Sequence, residues 1–298
     1  MAQDTTDFSA RLDKLWDYGK PAESRSRFEA ELAKHPAGSR EALETTTQIA
    51  RTQSLQRNFA DADTLLDAVL PKLDAVPARV KVRYFLERGR TRNSSGDKPA
   101  AAVLFKQALA FAPRDTLPGA DFYRVDALHM LGIAAPQDEQ LDWNLKALAA
   151  AEASSDPRAR GWAASLDNNI GWTYFDRGDV KTALVYWEKA LPLREAAGKP
   201  LEIRIAKWTI ARGYRAVGRL DDAEKIQLAL AAETERIGEP DGYIYEELAE
   251  IALARGNATA ATPWAAKAYA LLKDDGDMRA NEAARLARLQ NVAQGKAP

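Results

Sequence analysis

The stretch Gly171-Trp172-Thr173-Tyr174-Phe175-Asp176-Arg177-Gly178-Asp179-Val180-Lys181-Thr182-Ala183-Leu184-Val185-Tyr186-Trp187-Glu188-Lys189-Ala190 decides the fold. Gly171, Tyr174 and Gly178 are separated by three and four residues, and Ala183, Trp187 and Ala190 follow at intervals of five, four and three. Positions three and four apart share one face of a helix. The spacing therefore predicts two short helices packed against each other, with small residues where they touch and aromatic rings filling the space between.

The frame recurs along the chain. Gly89, Gly96, Ala101, Phe105, Ala108 and Pro113 occupy equivalent positions, as do Tyr214, Gly218 and Ala223, and then Gly256, Ala261 and Ala268. Gly19, Phe28 and Pro36 keep it near the start, where Ser24 and Glu31 replace the expected alanines. Ala50, Ala62 and Leu66 match more weakly, and Leu131-Gly132 with Lys146-Ala147-Leu148 match with about four residues missing between the helices. The pattern resembles the tetratricopeptide repeat, a helix–turn–helix unit of about 34 residues that stacks into a superhelix. Ala183, Ala223 and Ala261 are 40 and 38 residues apart, and Ala62 and Ala101 are 39 apart. Longer helices than in the minimal repeat are expected, or longer loops such as Gly198-Lys199-Pro200 and Gly238-Glu239-Pro240.

Turn chemistry supports the same frame. In Gly96-Asp97 and Gly178-Asp179 the glycine suits a left-handed helix end, and the aspartate suits the free N–H groups of the next helix. Gly256-Asn257 repeats the device, and Asp221 follows Gly218 slightly later. Pro77, Pro157, Pro200 and Pro240 fall between the proposed repeats, where a helix stops or begins. The expected architecture is all-α: a right-handed α-solenoid of about seven tetratricopeptide-like hairpins in one domain, residues 1–298. The hairpins are expected at 7–36, 39–75, 77–113, 119–152, 157–196, 200–237 and 241–273. A capping helix at 277–293 would cover the apolar flank of the last repeat.

Composition limits the functions open to such a chain. The 42 basic and 43 acidic residues nearly cancel, which argues against a dedicated nucleic-acid binder. No apolar run is long enough to cross a bilayer. Cysteine is absent, so disulfides, thiol nucleophiles and thiolate metal sites are excluded. No signal-peptide pattern precedes the repeats, and a cytoplasmic location is expected; the alternative is a periplasmic one, if Ala2-Gln3 marks a removed signal peptide.

Catalytic chemistry is poorly provided for. The two histidines, His35 and His129, lack metal-ligand spacing: His35 suits a helix C-terminus, and His129 a hydrogen-bonded position in an apolar helix. Glu246-Glu247 with Glu250, and Asp274-Asp275 with Asp277, read as solvated faces rather than hard-cation sites. No phosphate loop, nucleophile elbow or His-Glu-x-x-His motif occurs. The expectation is a protein that is not an enzyme and uses no cofactor and no metal.

The surface that remains is the groove. The resemblance implies that the first helix of each hairpin lines the concave side, which places Arg51, Arg83, Arg90, Asn93, Asn168, Trp172, Asp176, Trp208, Arg212, Arg215, Tyr243, Glu246 and Glu250 there. Arginine forks bind carboxylates, and tryptophan offers contact area at low entropic cost. The expected partner is another protein or peptide segment bearing acidic and apolar residues. The plain alternative has each tryptophan packed between helices and each arginine paired with a neighbouring acid; Trp187 reads as a core residue. Asn168 and Asn169 suggest a carboxylate clamp, but the accompanying lysine is missing and Trp172 replaces an asparagine. The basic run Arg79, Lys81, Arg83, Arg88, Arg90 and Arg92 leaves RNA as the alternative ligand.

Overall fold

The computed structural model describes residues 8–297, apart from the Asp277 side chain; Ala2-Gln3 and the expected start of the first hairpin at residue 7 lie outside it. The described residues are helical, with short connections and no strand among them. Their contacts gather into two compact units that meet in sequence between Leu166 and Asp167.

The first unit contains α1 (Phe8–Asp13), α2 (Pro21–Leu32), α3 (Arg40–Leu55), α4 (Phe59–Val69), α5 (Ala78–Ser94), α6 (Lys98–Phe111), α7 (Ala120–Ala134), α8 (Gln137–Ala153) and α9 (Pro157–Arg160). α3 packs on α4, α5 on α6 and α7 on α8, and each first helix also touches the next. The second unit takes α10 (Ala163–Asp176) from Asp167 on. It continues through α11 (Val180–Ala197), α12 (Pro200–Ala216), α13 (Leu220–Arg236), α14 (Gly242–Ala254), α15 (Ala258–Leu272), α16 (Gly276–Asn281) and α17 (Ala283–Ala293). α11, α12 and α13 run 18, 17 and 17 residues, so the surplus over the minimal repeat goes into longer helices.

The small–aromatic frame is a steric one. A Cβ at Gly171 would lie 2.2 Å from Nε1 of Trp187, and one at Gly89 2.4 Å from Cε1 of Phe105. Trp187 is 1% exposed and Phe105 fully buried, and each ring occupies the space that a Cβ on the facing helix would take. In the fourth hairpin a Cβ at Gly132 would meet Asn144 at 2.4 Å; the partner stands four residues closer in sequence and is polar. Asn144 compensates by donating to the Gly132 carbonyl at 3.3 Å.

Gly178 adopts a left-handed φ of 82°, and Asp179 accepts from the Thr182 N–H at 3.1 Å. Gly96 and Asp97 do the same with Ala100, a cap worth about 1 kcal/mol. α13 starts without such a cap, because its cap position holds Arg219; Asp221, inside the first turn, pairs with Arg255. The C-terminal segment forms two helices, α16 and α17, rather than one. α17 packs on α15, and its Leu289 and Val292 are buried against Ala265 and Leu272.

Candidate functional site

In the first unit, α3, α5 and α7 present one face each to a cavity of about 380 Å³. Gln48 and Arg51 come from α3, Arg83, Glu87 and Arg90 from α5, and Phe122, Tyr123 and Asp126 from α7; Asp13, Tyr18 and Trp162 complete the wall. Arg83, 2% exposed, donates to Asp13 at 2.8 Å, to the Tyr123 hydroxyl at 2.7 Å and to Glu44 at 3.3 Å. Asp13 also accepts from Tyr123 at 2.8 Å and from Arg158 at 2.5 Å. Glu87 accepts from Arg51 and from Arg90, each at 3.0 Å, and Arg90 reaches on to Asp126.

The network sets the protonation of its members. Burial pushes the Asp13 carboxyl up, but Arg83, Arg158 and the Tyr123 hydroxyl outweigh it and hold it below the usual carboxylate value. Glu87 is likewise held low against burial by Arg90 and Arg51. Glu44 goes the other way: burial outweighs Arg83 and raises its pKa. His129, stacked on Trp162 with centroids 4.7 Å apart, is lowered by burial. Its Nδ1 has no hydrogen-bond partner among the described residues, unlike the bonded histidine expected. His35 lies 3.1 Å from Glu31 at the end of α2.

In the second unit, α12 and α14 border a groove of about 640 Å³. Leu201, Ile205 and Trp208 share one face of α12, and Leu201 and Ile205 are 59% and 51% exposed. Trp208 is held in place by its indole N–H, which donates to the Tyr243 carbonyl at 3.1 Å. The same face continues to Arg212 and Arg215. Arg215 pairs with Glu247 through two hydrogen bonds. Arg212 stands 3.9 Å from the same carboxylate, its Nε lacks a hydrogen-bond partner among the described residues, and its guanidinium lies over the Trp208 and Phe175 rings.

The expected groove residues thus divide. Arg51, Arg83 and Arg90 line the cavity, each tied to a carboxylate; Asn93 is half-buried on α5 outside it. Trp172 is half-buried between Trp187 and Trp208, with centroids 5.0 and 6.4 Å away, while Asn168 accepts the Trp187 indole N–H on its carbonyl and Asp176 is exposed. Trp208 and Tyr243 line the groove. Glu246 and Glu250 are taken by Arg285 and Arg288 of α17.

The basic run is also internally paired: Arg79 with Asp115, Arg88 with Asp63 and Asp67, Arg92 with Asp63. Sequence reasoning missed Asp13, Tyr18, Tyr123 and Trp162 at the cavity and Leu201 and Ile205 at the groove. No group of three metal-holding side chains occurs among the described residues; the Asp277 side chain of the carboxylate cluster near residue 275 lies outside them. No described helix is long and apolar enough to cross a membrane.

Residues 164–197 match the family model for the tetratricopeptide repeat. Solved structures share the fold over most of the chain. The apo form of RapI is similar with a TM-score of 0.73 at 10% identity, covering 96% of this chain and 81% of that one. PilW, a widely conserved type IV pilus biogenesis factor, has a TM-score of 0.57 at 20% identity over 81% of this chain and 98% of its own. BtubC from P. vanneervenii has a TM-score of 0.55 at 18% identity over 76% and 90%. No curated protein matches the sequence.

Proposed function

From the tetratricopeptide-repeat fold as premise, we propose that this chain is a non-catalytic scaffold that docks a segment of another protein on the first-helix face of its repeats. The observation that carries the reading is the stripe of exposed Leu201 and Ile205 and half-buried Trp208 on α12, lining a groove with Tyr243, with Arg212 next along the same helix face. A contiguous apolar surface rimmed by polar groups marks a protein contact site. Arg212 shares Glu247 with the better-placed Arg215 and so keeps donor capacity for an incoming carboxylate. The partner segment carries apolar side chains that enter the groove and an acidic residue that meets Arg212.

Support for the fold as an interaction scaffold comes from its stacked hairpins, whose solenoids form extended binding surfaces. A pull-down read by mass spectrometry tests the proposal when wild type is compared with Trp208→Ala and Arg212→Ala, after circular dichroism has shown both folded. Partners common to wild type should be lost from both variants. Retention in both, or binding of RNA that falls steeply with salt and is lost on Arg83→Ala and Arg90→Ala, would overturn it.

A further inference from the structure

The two ends of the α12–α14 groove carry opposite charge. At the start of α12 the charged side chains lining it are Arg204, Glu239 and Asp241. Arg204 divides its guanidinium between Glu239 at 3.3 Å and Glu233 at 3.6 Å, and Glu239 stays open to solvent. Asp241 accepts from the Tyr243 N–H at 2.8 Å and meets no cation among the described residues. Acid is in surplus at this end. Eight residues on from Arg204, about 12 Å along the helix, the balance reverses: Arg212 and Arg215 share the single carboxylate of Glu247.

Between the two ends the floor is apolar, formed by Leu201, Ile205, Trp208, Ile244 and Leu271. Its polar groups are already engaged. The Trp208 indole N–H donates to the Tyr243 carbonyl, the Thr234 hydroxyl donates to the Leu230 and Ala231 carbonyls, and Pro240 has no N–H to give. An extended segment laid on this floor would leave its main-chain groups unmatched, at a cost in free energy. A helix satisfies its own.

We infer, on the docking role proposed above for this groove, that its occupant is an amphipathic helix lying antiparallel to α12. Its first turn carries an acidic residue that meets Arg212, and about two turns later a basic residue meets Glu239 and Asp241. That order suits the helix itself, because an acid near the N-terminus and a base near the C-terminus match the macrodipole. A helix running the other way would carry both charges at its unfavourable ends.

The probes are two stapled helical peptides of about fifteen residues and identical composition, with leucines three and four apart. One has Glu before the leucines and Lys after them; in the other the two are exchanged. Fluorescence polarisation with the full chain should show the Glu-first peptide bound about tenfold or more tighter. Asp241→Asn, which keeps the cap of α14, and Glu239→Lys should each weaken that peptide. Glu239→Lys should in turn strengthen binding of a third peptide, with Glu in place of the Lys. A proline at the centre of the unstapled Glu-first peptide should abolish its binding, and Trp208→Ala, shown folded by circular dichroism, should weaken all of them. Equal affinity for the two charge orders, no rescue by Glu239→Lys, a proline peptide that binds as its parent does, or no saturable binding of either stapled peptide would overturn the inference. The docking role itself stands while Trp208→Ala still weakens binding; binding indifferent to Trp208→Ala would overturn both.

Discussion

The cavity of residues 8–166 and the groove of residues 167–297 are both lined by first helices of the repeats, and the side chains there meet different neighbours. Around the cavity each arginine meets an acid about one repeat away: Arg51 and Glu87, Arg90 and Asp126, Arg83 and Glu44. The side chains cross-link successive hairpins, Arg83 buried and Arg51 and Arg90 half-buried. On α12, counted back from Gly218 as from Gly96, Ile205 stands where Arg83 does and Leu201 where Arg79 does, and both stay exposed, while Arg212 stands where Arg90 does and has only a 3.9 Å approach to Glu247. Whether a first-helix side chain is tied to its neighbours or left open therefore turns on what stands one repeat further along.

The largest expected effect separates the two arginine environments. Arg83→Met strands the Asp13 and Glu44 carboxylates in the interior, and removing one partner of a buried ion pair costs about 3–5 kcal/mol. Arg212→Met, at the half-exposed position, should change stability by about 0.5 kcal/mol or less. Urea unfolding of the two variants decides; equal losses would erase the distinction drawn above.

Next in size is an effect on binding alone. Trp208→Ala should weaken a groove-bound segment by about 2 kcal/mol, as loss of an anchoring aromatic does, whereas Arg51→Met should leave that affinity within experimental error. Titration calorimetry with a partner segment checks both, and a comparable loss in Arg51→Met would merge the two sites.

Smaller still is a pH effect confined to the cavity. His129, facing Asp126 and Arg90, has its pKa lowered from 6.5 by burial. The unfolded chain thus takes up this proton first, and stability falls as pH drops below 6.5 toward the folded value. Asp13 and Glu87 add a second loss at lower pH, below the ordinary 3.8 and 4.5. The raised pKa of Glu44 gives a gain that is complete once pH has fallen to 4.5, because the native state takes up that proton first, and so offsets part of the loss above it. His129→Phe should flatten the stability profile between pH 6.5 and 5 and leave the steeper acid limb in place. An unchanged slope above pH 5 would remove His129 from the account.

Much of the fold is legible in the sequence because its determinants are local or steric. Gly171 and Gly89 are small since Trp187 and Phe105 lie on them, and Gly178-Asp179 ends one helix and caps the next. The break between α16 and α17 at Glu282 has no comparable local signal. The site is less legible. The arginines of the cavity are visible as a helical face, but their partners are fixed by stacking. The signal available was spacing: Arg79–Asp115, Arg51–Glu87 and Arg90–Asp126 are each separated by 36 residues. Asp13 reaches Arg83 across 70 residues and Arg158 across 145, a meeting that no local pattern announces. Leu201 and Ile205 escape notice because an apolar residue on a helix reads as core until its neighbours are known.

The central claim is that the α12 stripe is the docking surface. The most direct measurement is the affinity of a segment selected from a displayed-peptide library against the whole protein, compared between wild type, Ile205→Glu and Val185→Glu. Val185 is an equally exposed apolar residue, at 54%, but on α11 and outside the groove, so both variants place a charge on open surface at little cost to the fold. Binding weakened about tenfold or more by Ile205→Glu, and kept by Val185→Glu, is the predicted result. Binding kept by Ile205→Glu and lost in Val185→Glu would contradict it.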